Sequence, residues 1–287
     1  LKRLIAAQSD IPPCCLSHNS AMTHSPSPPP APTVPLFVHT QGRGPDVVLL
    51  HGWGLHGGVW ARIADHLATD FTVHSVDLPG HGASAHPEDY TLDALAATLA
   101  AAFPLPVQVV GWSLGGLIAM HWAHRTPQQV KSLSLVASSP CFVQQADWAH
   151  AQPTAVMRQF ATNLDGAFEH TLQRFLALQL IGSDSARSVL ADLKAQLFAH
   201  GRPSALAQAL AILEGSDLRP HVAAITQPVA LLYGQRDLLT PPEVAHWLAD
   251  TLPDARLTVF PTASHAPFLS HEADFLATLR PFLHECA

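Results

Sequence analysis

Charge is scarce in this chain. Only 13% of its 287 residues are Asp, Glu, Lys or Arg, against 48% hydrophobic ones. What charge there is leans acidic, with 15 basic and 22 acidic residues for a formal −7. That balance argues against nucleic acid as a partner. Cysteine is scarce as well. Cys14, Cys15, Cys141 and Cys286 show no paired spacing, which fits a reduced, cytoplasmic setting better than a disulfide scaffold. There is no H-E-x-x-H and no Cys/His cluster among the 19 scattered histidines, so neither a metal nor a cofactor is expected. No apolar run is long enough to span a bilayer, and no membrane partner is expected. An initiator methionine is also missing. Met22 is the expected start, with the residues before it translated upstream sequence. Leu1 to Ala7 is basic and apolar but too short for a signal-peptide core, and Ser25 to Pro35 is a Pro/Ser-rich stretch expected to be disordered or extended.

What the chain does have is Gly111-Trp112-Ser113-Leu114-Gly115. The run Val107 to Val110 before it reads as a buried parallel strand, and Gly116 to Ala123 after it reads as a helix. Strand, G-x-S-x-G and helix together form a nucleophile elbow with Ser113 at its tip. The glycines are needed because a Cβ at Gly111 or Gly115 would clash with neighbouring backbone. The plainer alternative is a glycine-rich turn whose serine caps a helix.

Strands and helices alternate around this elbow. Strands are expected near Leu36 to His39 as an edge, at Asp46 to Leu50, Phe71 to Val76, Ser132 to Ala137, Pro228 to Gly234 and Leu257 to Phe260. Helices are expected around Val59 to Leu67, over Leu92 to Ala102 behind a Thr91 cap, and over Asp274 to His284. The rhythm predicts a doubly wound, mostly parallel sheet. It breaks from about Pro140 to Leu213, where only helical periodicity is seen, with Phe168, Leu172, Phe175, Leu176 and Leu180 on one face. That reads as a helical lid inserted after the sixth strand. The domain plan is then an extension over 1–35, a core over 36–139 and 214–287, and a lid over 140–213.

A serine hydroxyl needs a base, and the base needs a carboxylate to orient it. Both are expected after the serine, at strand ends. Asp237 follows Gly234-Gln235-Arg236, and His265 lies in Ser264-His265-Ala266-Pro267-Phe268. The roles are then Ser113 as nucleophile, His265 as proton shuttle and Asp237 as orienting acid. Asp217 and His271 are rivals, but each sits at what looks like a helix start. The oxyanion hole is expected from the N–H groups of Leu114 and Trp53, whose indole would also line the acyl pocket. Asp77-Leu78-Pro79-Gly80-His81-Gly82 reads as a turn that stabilises its loop rather than a metal site. Activity is expected to rise as His265 loses its proton.

His51-Gly52-Trp53-Gly54, Asp77 to Gly82, Gly111 to Gly116 and Ser264 to Phe268 resemble the α/β-hydrolase fold. Ala137 to Phe142 and Arg174 to Gln179 narrow the resemblance to the pimeloyl-acyl-carrier-protein methyl ester esterases of biotin synthesis, the BioH type. It covers about Val47 to Phe282. The resemblance implies a carboxylic ester hydrolase that frees the ω-carboxylate of a carrier-bound pimeloyl chain and releases methanol. It implies substrate contacts from Trp53, Ser113, Leu114, Phe175, Leu176, Ala177, Leu178, Gln179 and His265. It also implies that basic lid residues hold an acidic carrier protein. Arg174 and Arg187 match that pattern, His170 and Ala191 stand where further arginines would be, and Lys194 is expected to compensate for them in carrier docking. The protein is expected to be monomeric. Other readings are a short-chain esterase, a C–C hydrolase, a perhydrolase or a non-catalytic receptor on the same fold.

Overall fold

The computed structural model describes residues 34–178, 190–191, 193–194 and 200–287. Among these residues seven strands form one sheet. In chain order they are β1 (Val38–Gly42), β2 (Asp46–Leu50), β3 (Thr72–Val76), β4 (Val107–Trp112), β5 (Val130–Val136), β6 (Val229–Gly234) and β7 (Ala255–Phe260). Their spatial order is β1-β3-β2-β4-β5-β6-β7. Only the edge strand β1 runs antiparallel, paired with β3. The others are parallel to their neighbours. β4 and β6 are buried along their whole length, which is why they read as continuous apolar runs rather than as alternation.

The chain moves outward from β2 to β3, then back across β2 to β4. Such crossovers are right-handed as a rule, and two that run in opposite directions lay their helices, here α1 (Ala61–Leu67) and α2 (Leu92–Ala102), on opposite faces. α2 begins where its cap predicts, with Thr91 Oγ1 accepting from Ala94 N–H at 3.2 Å. It packs on α3 (Leu114–Arg125), which follows β4 at the middle of the sheet. The strand order reverses at β2 and β4, so their carboxyl ends open a crevice, the usual place for a ligand in such sheets.

The insertion differs from its expectation in two ways. It follows the fifth strand of the described residues, β5, not the sixth. It is also not helical throughout. Residues 138–153 are irregular, with isolated bridges joining Cys141 to Asp217 and Val143 to Gln152. Side chains complete the bonding there: Ser139 Oγ and Trp148 Nε1 both donate to the Cys141 carbonyl, at 2.7 and 2.9 Å. Helices begin only after Pro153, with α4 (Thr154–Gly166) and α5 (Phe168–Leu178). α6 (Leu206–Gly215) and the short α7 (Arg219–Val222) bring the chain back to β6. α8 (Pro242–Thr251) joins β6 to β7, and α9 (Pro267–Ser270) and α10 (Glu272–Glu285) end the chain. Among the described residues no helix is long and apolar enough to cross a membrane.

Candidate active site

β4 turns into α3 at Ser113. That residue has φ 53° and ψ −115°, a left-handed backbone that a serine adopts only when its surroundings impose it. They do so by crowding. A Cβ on Gly111 would lie 2.6 Å from the Gly115 carbonyl oxygen, and one on Gly115 would lie 2.5 Å from the Leu50 carbonyl oxygen. The turn is also bonded on both sides. Ser113 N–H donates to Val136 O at 3.0 Å, and Ser138 Oγ donates to Ser113 O at 2.7 Å. Tyr233 in turn donates its hydroxyl to Ser138 O at 2.6 Å, so β6 braces the elbow through β5.

The loop after β6 carries Asp237 and the loop after β7 carries His265. Both are buried, and His265 Nδ1 lies 2.8 Å from Asp237 Oδ2. The other carboxylate oxygen, Oδ1, accepts from Leu239 N–H at 2.8 Å and Thr240 N–H at 3.1 Å. The elbow reaches the same place. Trp112, one residue before Ser113, donates its indole N–H to the His265 carbonyl at 2.8 Å, and the two rings lie 5.7 Å apart.

The rivals are engaged elsewhere. Asp217 is clasped by Arg219 through bonds of 2.6 and 2.9 Å, which hold its carboxyl below the usual range. His271 lies at the N-terminal end of α10, with its ring nitrogens 2.8 Å from Thr262 Oγ1 and Ser270 Oγ.

Leu114 is the first residue of α3, so its N–H has no carbonyl one turn back and stays available beside Ser113. Trp53 follows β2, facing the same crevice. Its indole N–H donates to Leu206 O at 2.9 Å, tying this loop to the end of the insertion. His51 anchors the loop from beneath, with Nδ1 2.8 Å from Gly52 O and Nε2 accepting from Leu78 N–H at 2.9 Å. Burial, and then the neighbouring His81, hold His51 well below the ordinary imidazole range. The Asp77 carboxylate accepts from Gly57 N–H at 2.7 Å and Ala83 N–H at 2.8 Å, so it is spent on joining its own loop to the turn at Gly57. Among the described residues no group of His, Cys, Asp or Glu is arranged to hold a metal ion.

Ser113 opens on an apolar cavity of about 120 Å³, walled by Trp53, Phe142, Phe160, Phe175 and Leu239 among others. Trp53, Phe160 and Phe175 form a ring cluster with centroids 5.3 Å apart. Of the expected contacts, Trp53, Ser113 and Phe175 face this space. Leu176 is instead buried in the core and Ala177 is exposed, and neither lines it. Gln179 and Arg187 lie outside the described residues, as does the side chain of Leu178. Phe142, Met157, Phe160 and Leu239 escaped the sequence reading. The 156, 157 and 160 spacing on α4 was a helical stripe that would have marked three of the lining positions, Val156 included. Arg174 is exposed and borders an outer groove between α4 and α5, with Gln159, Asn163 and His170. Lys194 is half-buried and lines neither space.

The sequence carries the profile of the alpha/beta hydrolase fold over residues 45–272. The chain belongs to the α/β-hydrolase family. Within that family it is 60% identical to the pimeloyl-[acyl-carrier protein] methyl ester esterase of Chromobacterium violaceum, over 86% of this chain and 98% of that one. It is 42% identical to the protein of the same name from Nitrosomonas europaea, over 84% and 97%. Among solved α/β hydrolases, an esterase from Exiguobacterium antarcticum superposes with a TM-score of 0.81 at 22% identity, covering 87% of this chain and 95% of its own. That last likeness speaks for the fold alone. The sequence likeness places the chain with the pimeloyl-acyl-carrier-protein methyl ester esterases, as the Ala137 to Phe142 and Arg174 to Gln179 stretches imply.

Proposed function

We infer that this protein hydrolyses the methyl ester of pimeloyl-acyl-carrier protein, giving pimeloyl-acyl-carrier protein and methanol for biotin synthesis. The observation that carries the reading is the 60% identity, over almost the whole of the relative, to an esterase of that name. In the reaction, His265 Nε2 takes the Ser113 proton as Oγ adds to the ester carbonyl carbon. Asp237 holds Nδ1–H and stabilises the imidazolium. The oxyanion is met by the N–H groups of Leu114 and Trp53. Collapse breaks the bond to the methoxy oxygen, which leaves as methanol with the proton from Nε2. Water then gives a proton to His265 and its oxygen to the acyl carbon, Ser113 recovers its hydrogen, and the ω-carboxylate is released.

Supporting this reading are the buried Asp237–His265 pair, the strained turn at Ser113 and the apolar space in front of it. We take the carrier to dock on the lid near Arg174, the lid to span 140–213 and the protein to act in the cytoplasm as a monomer. The acidic balance of the chain supports a reading without nucleic acid. The small cavity favours, as a second reading, a short-chain carboxylesterase of broader taste.

One experiment separates these, and a second tests the nucleophile that both require. Expression in a strain lacking its pimeloyl ester esterase restores growth without biotin under the first reading and not under the second. A fluorophosphonate labels Ser113 under both, and Ser113→Ala removes the label and lowers kcat by about 10⁴-fold or more while the fold is kept. An unlabelled native protein would point to a receptor built on this fold.

A further inference from the structure

Thr240 stands just beyond Asp237, and its hydroxyl has a use that the turn alone does not require. The side chain is 1% exposed. Its Oγ1 donates to Asp237 Oδ2 at 2.6 Å. That is the same oxygen that receives His265 Nδ1, at 2.8 Å. Oγ1 and Nδ1 are themselves 3.4 Å apart, so hydroxyl, carboxylate oxygen and imidazole nitrogen form a closed triangle.

A carboxylate turns easily about its last torsion, where the wells are broad. The backbone donors Leu239 N–H and Thr240 N–H fix only Oδ1. Without a second donor on the other side, Oδ2 is located by His265 alone, and each would position the other. The Thr240 hydroxyl breaks that circularity. It is itself well placed to do so. Threonine is β-branched and stiff at χ1. Pro241 follows it and confines its backbone to extended conformations. The loop does not depend on the hydroxyl, because Gln152 Nε2 donates to the carbonyls of Leu238 and Leu239 at 2.6 and 3.1 Å.

We propose that Thr240 is a positioning residue for the hydrolysis: its hydroxyl holds the Asp237 carboxylate in the plane that receives His265 Nδ1–H, and so sets the direction of Nε2. The proposal rests on the Ser113, His265 and Asp237 roles given above. Thr240 touches no substrate and acts through Asp237.

The test is a double-mutant cycle on p-nitrophenyl butyrate hydrolysis, with Thr240→Val, Asp237→Asn and the pair together. Thr240→Val is expected to lower kcat about tenfold with KM unchanged. Thr240→Ser, which keeps the hydroxyl, is expected to recover most of that loss. In the Asp237→Asn background, Thr240→Val is expected to cost less than about twofold, because residues that act as one unit are not additive. Should Thr240→Val fail to fold, Thr240→Ser against Thr240→Ala reads the same hydroxyl. Wild-type kcat in the variants without the hydroxyl overturns the proposal, and so does an equal penalty in both backgrounds. If Asp237→Asn itself keeps full activity, the assignment of the acid falls and takes this proposal with it. If Asp237→Asn is crippled while removal of the hydroxyl is harmless, only the role of Thr240 falls.

Discussion

At the rim of the sheet, Ser113, Asp237 and His265 are each buried, and each loop is tied to a different strand: Ser113 N–H to Val136 O, Gln235 N–H to Phe260 O, and His265 O to the indole of Trp112. Over that rim, α4 and α5 meet through side chains. Phe160 and Phe175 turn inward to Trp53, while Val156 is half exposed and Arg174 borders an outer groove. The rim therefore has little room for change, since its neighbours are backbone atoms that cannot be repacked. The lid has more, since its contacts are side chains that can rearrange. Crowding the rim backbone should remove fold and chemistry together, whereas trimming a reacting side chain there should remove the chemistry alone. Damage in the lid should change which ester fits.

The sharpest way to break that contrast is Gly115→Ala. The added methyl would lie 2.5 Å from Leu50 O and 2.7 Å from His51 O, in backbone that leads into the Trp53 loop. A loss of about 3 kcal/mol or more is expected in urea unfolding, with activity lost as well. A variant with the native midpoint and native kcat would show that the rim yields as readily as the lid.

Acid offers a second blow aimed at the rim. His81, like His51, is fully buried beneath the Trp53 loop's end of the sheet, with the two rings 5.3 Å apart, and burial lowers its pKa to about 4 from an ordinary 6.5. Both are neutral in the folded protein and free to take a proton once unfolded. The unfolded chain thus binds more protons between pH 6.5 and 4, and stability is lost as pH falls through that window. His81 alone accounts for about 3 kcal/mol when the window is crossed completely. Thermal melts at steps from pH 7 to pH 4 should show Tm falling throughout, and a Tm unchanged across that range would remove these histidines from the stability of the rim.

The lid should respond differently. Phe175→Ala opens the ring cluster and enlarges the cavity in front of Ser113. The expected result is a KM raised about tenfold for a pimelate methyl ester, with kcat changed less and the free energy of unfolding kept within about 2 kcal/mol. A loss confined to kcat would mean that this ring positions the reaction rather than the acyl chain.

The same division explains what could be read from residues alone. The strands at Asp46 to Leu50 and Val229 to Gly234, the cap at Thr91 and the elbow glycines are local signals, carried by apolar runs, a hydroxyl and missing side chains. The pairing of Asp237 with His265 was legible because each follows a strand at the same edge. The cavity was less so. Phe142 lies in an irregular stretch without any period, and Leu239 faces the cavity only because its loop is held by Gln152 and Asp237. Leu176 shares a helical stripe with Phe175, yet one is core and the other wall, because the stripe is wider than the pocket. Thr240 carries no such signal, since a hydroxyl's partner is not visible in its spacing.

The smallest effect is expected at the outer edge of the lid. Arg174 is exposed and borders the groove with Gln159, Asn163 and His170. If an acidic carrier protein rests there, Arg174→Ala removes one charge from an interface that water and salt reach freely. Such contacts are weak and screened, so KM for the carrier-bound ester should rise only about threefold at low salt, and by less at 0.5 M salt. For a small free ester, which never reaches the groove's charged edge, KM should not move. An equal rise for both substrates would place Arg174 in the packing of the lid, where loss of its alkyl stem rather than its charge disturbs Phe175 one residue on.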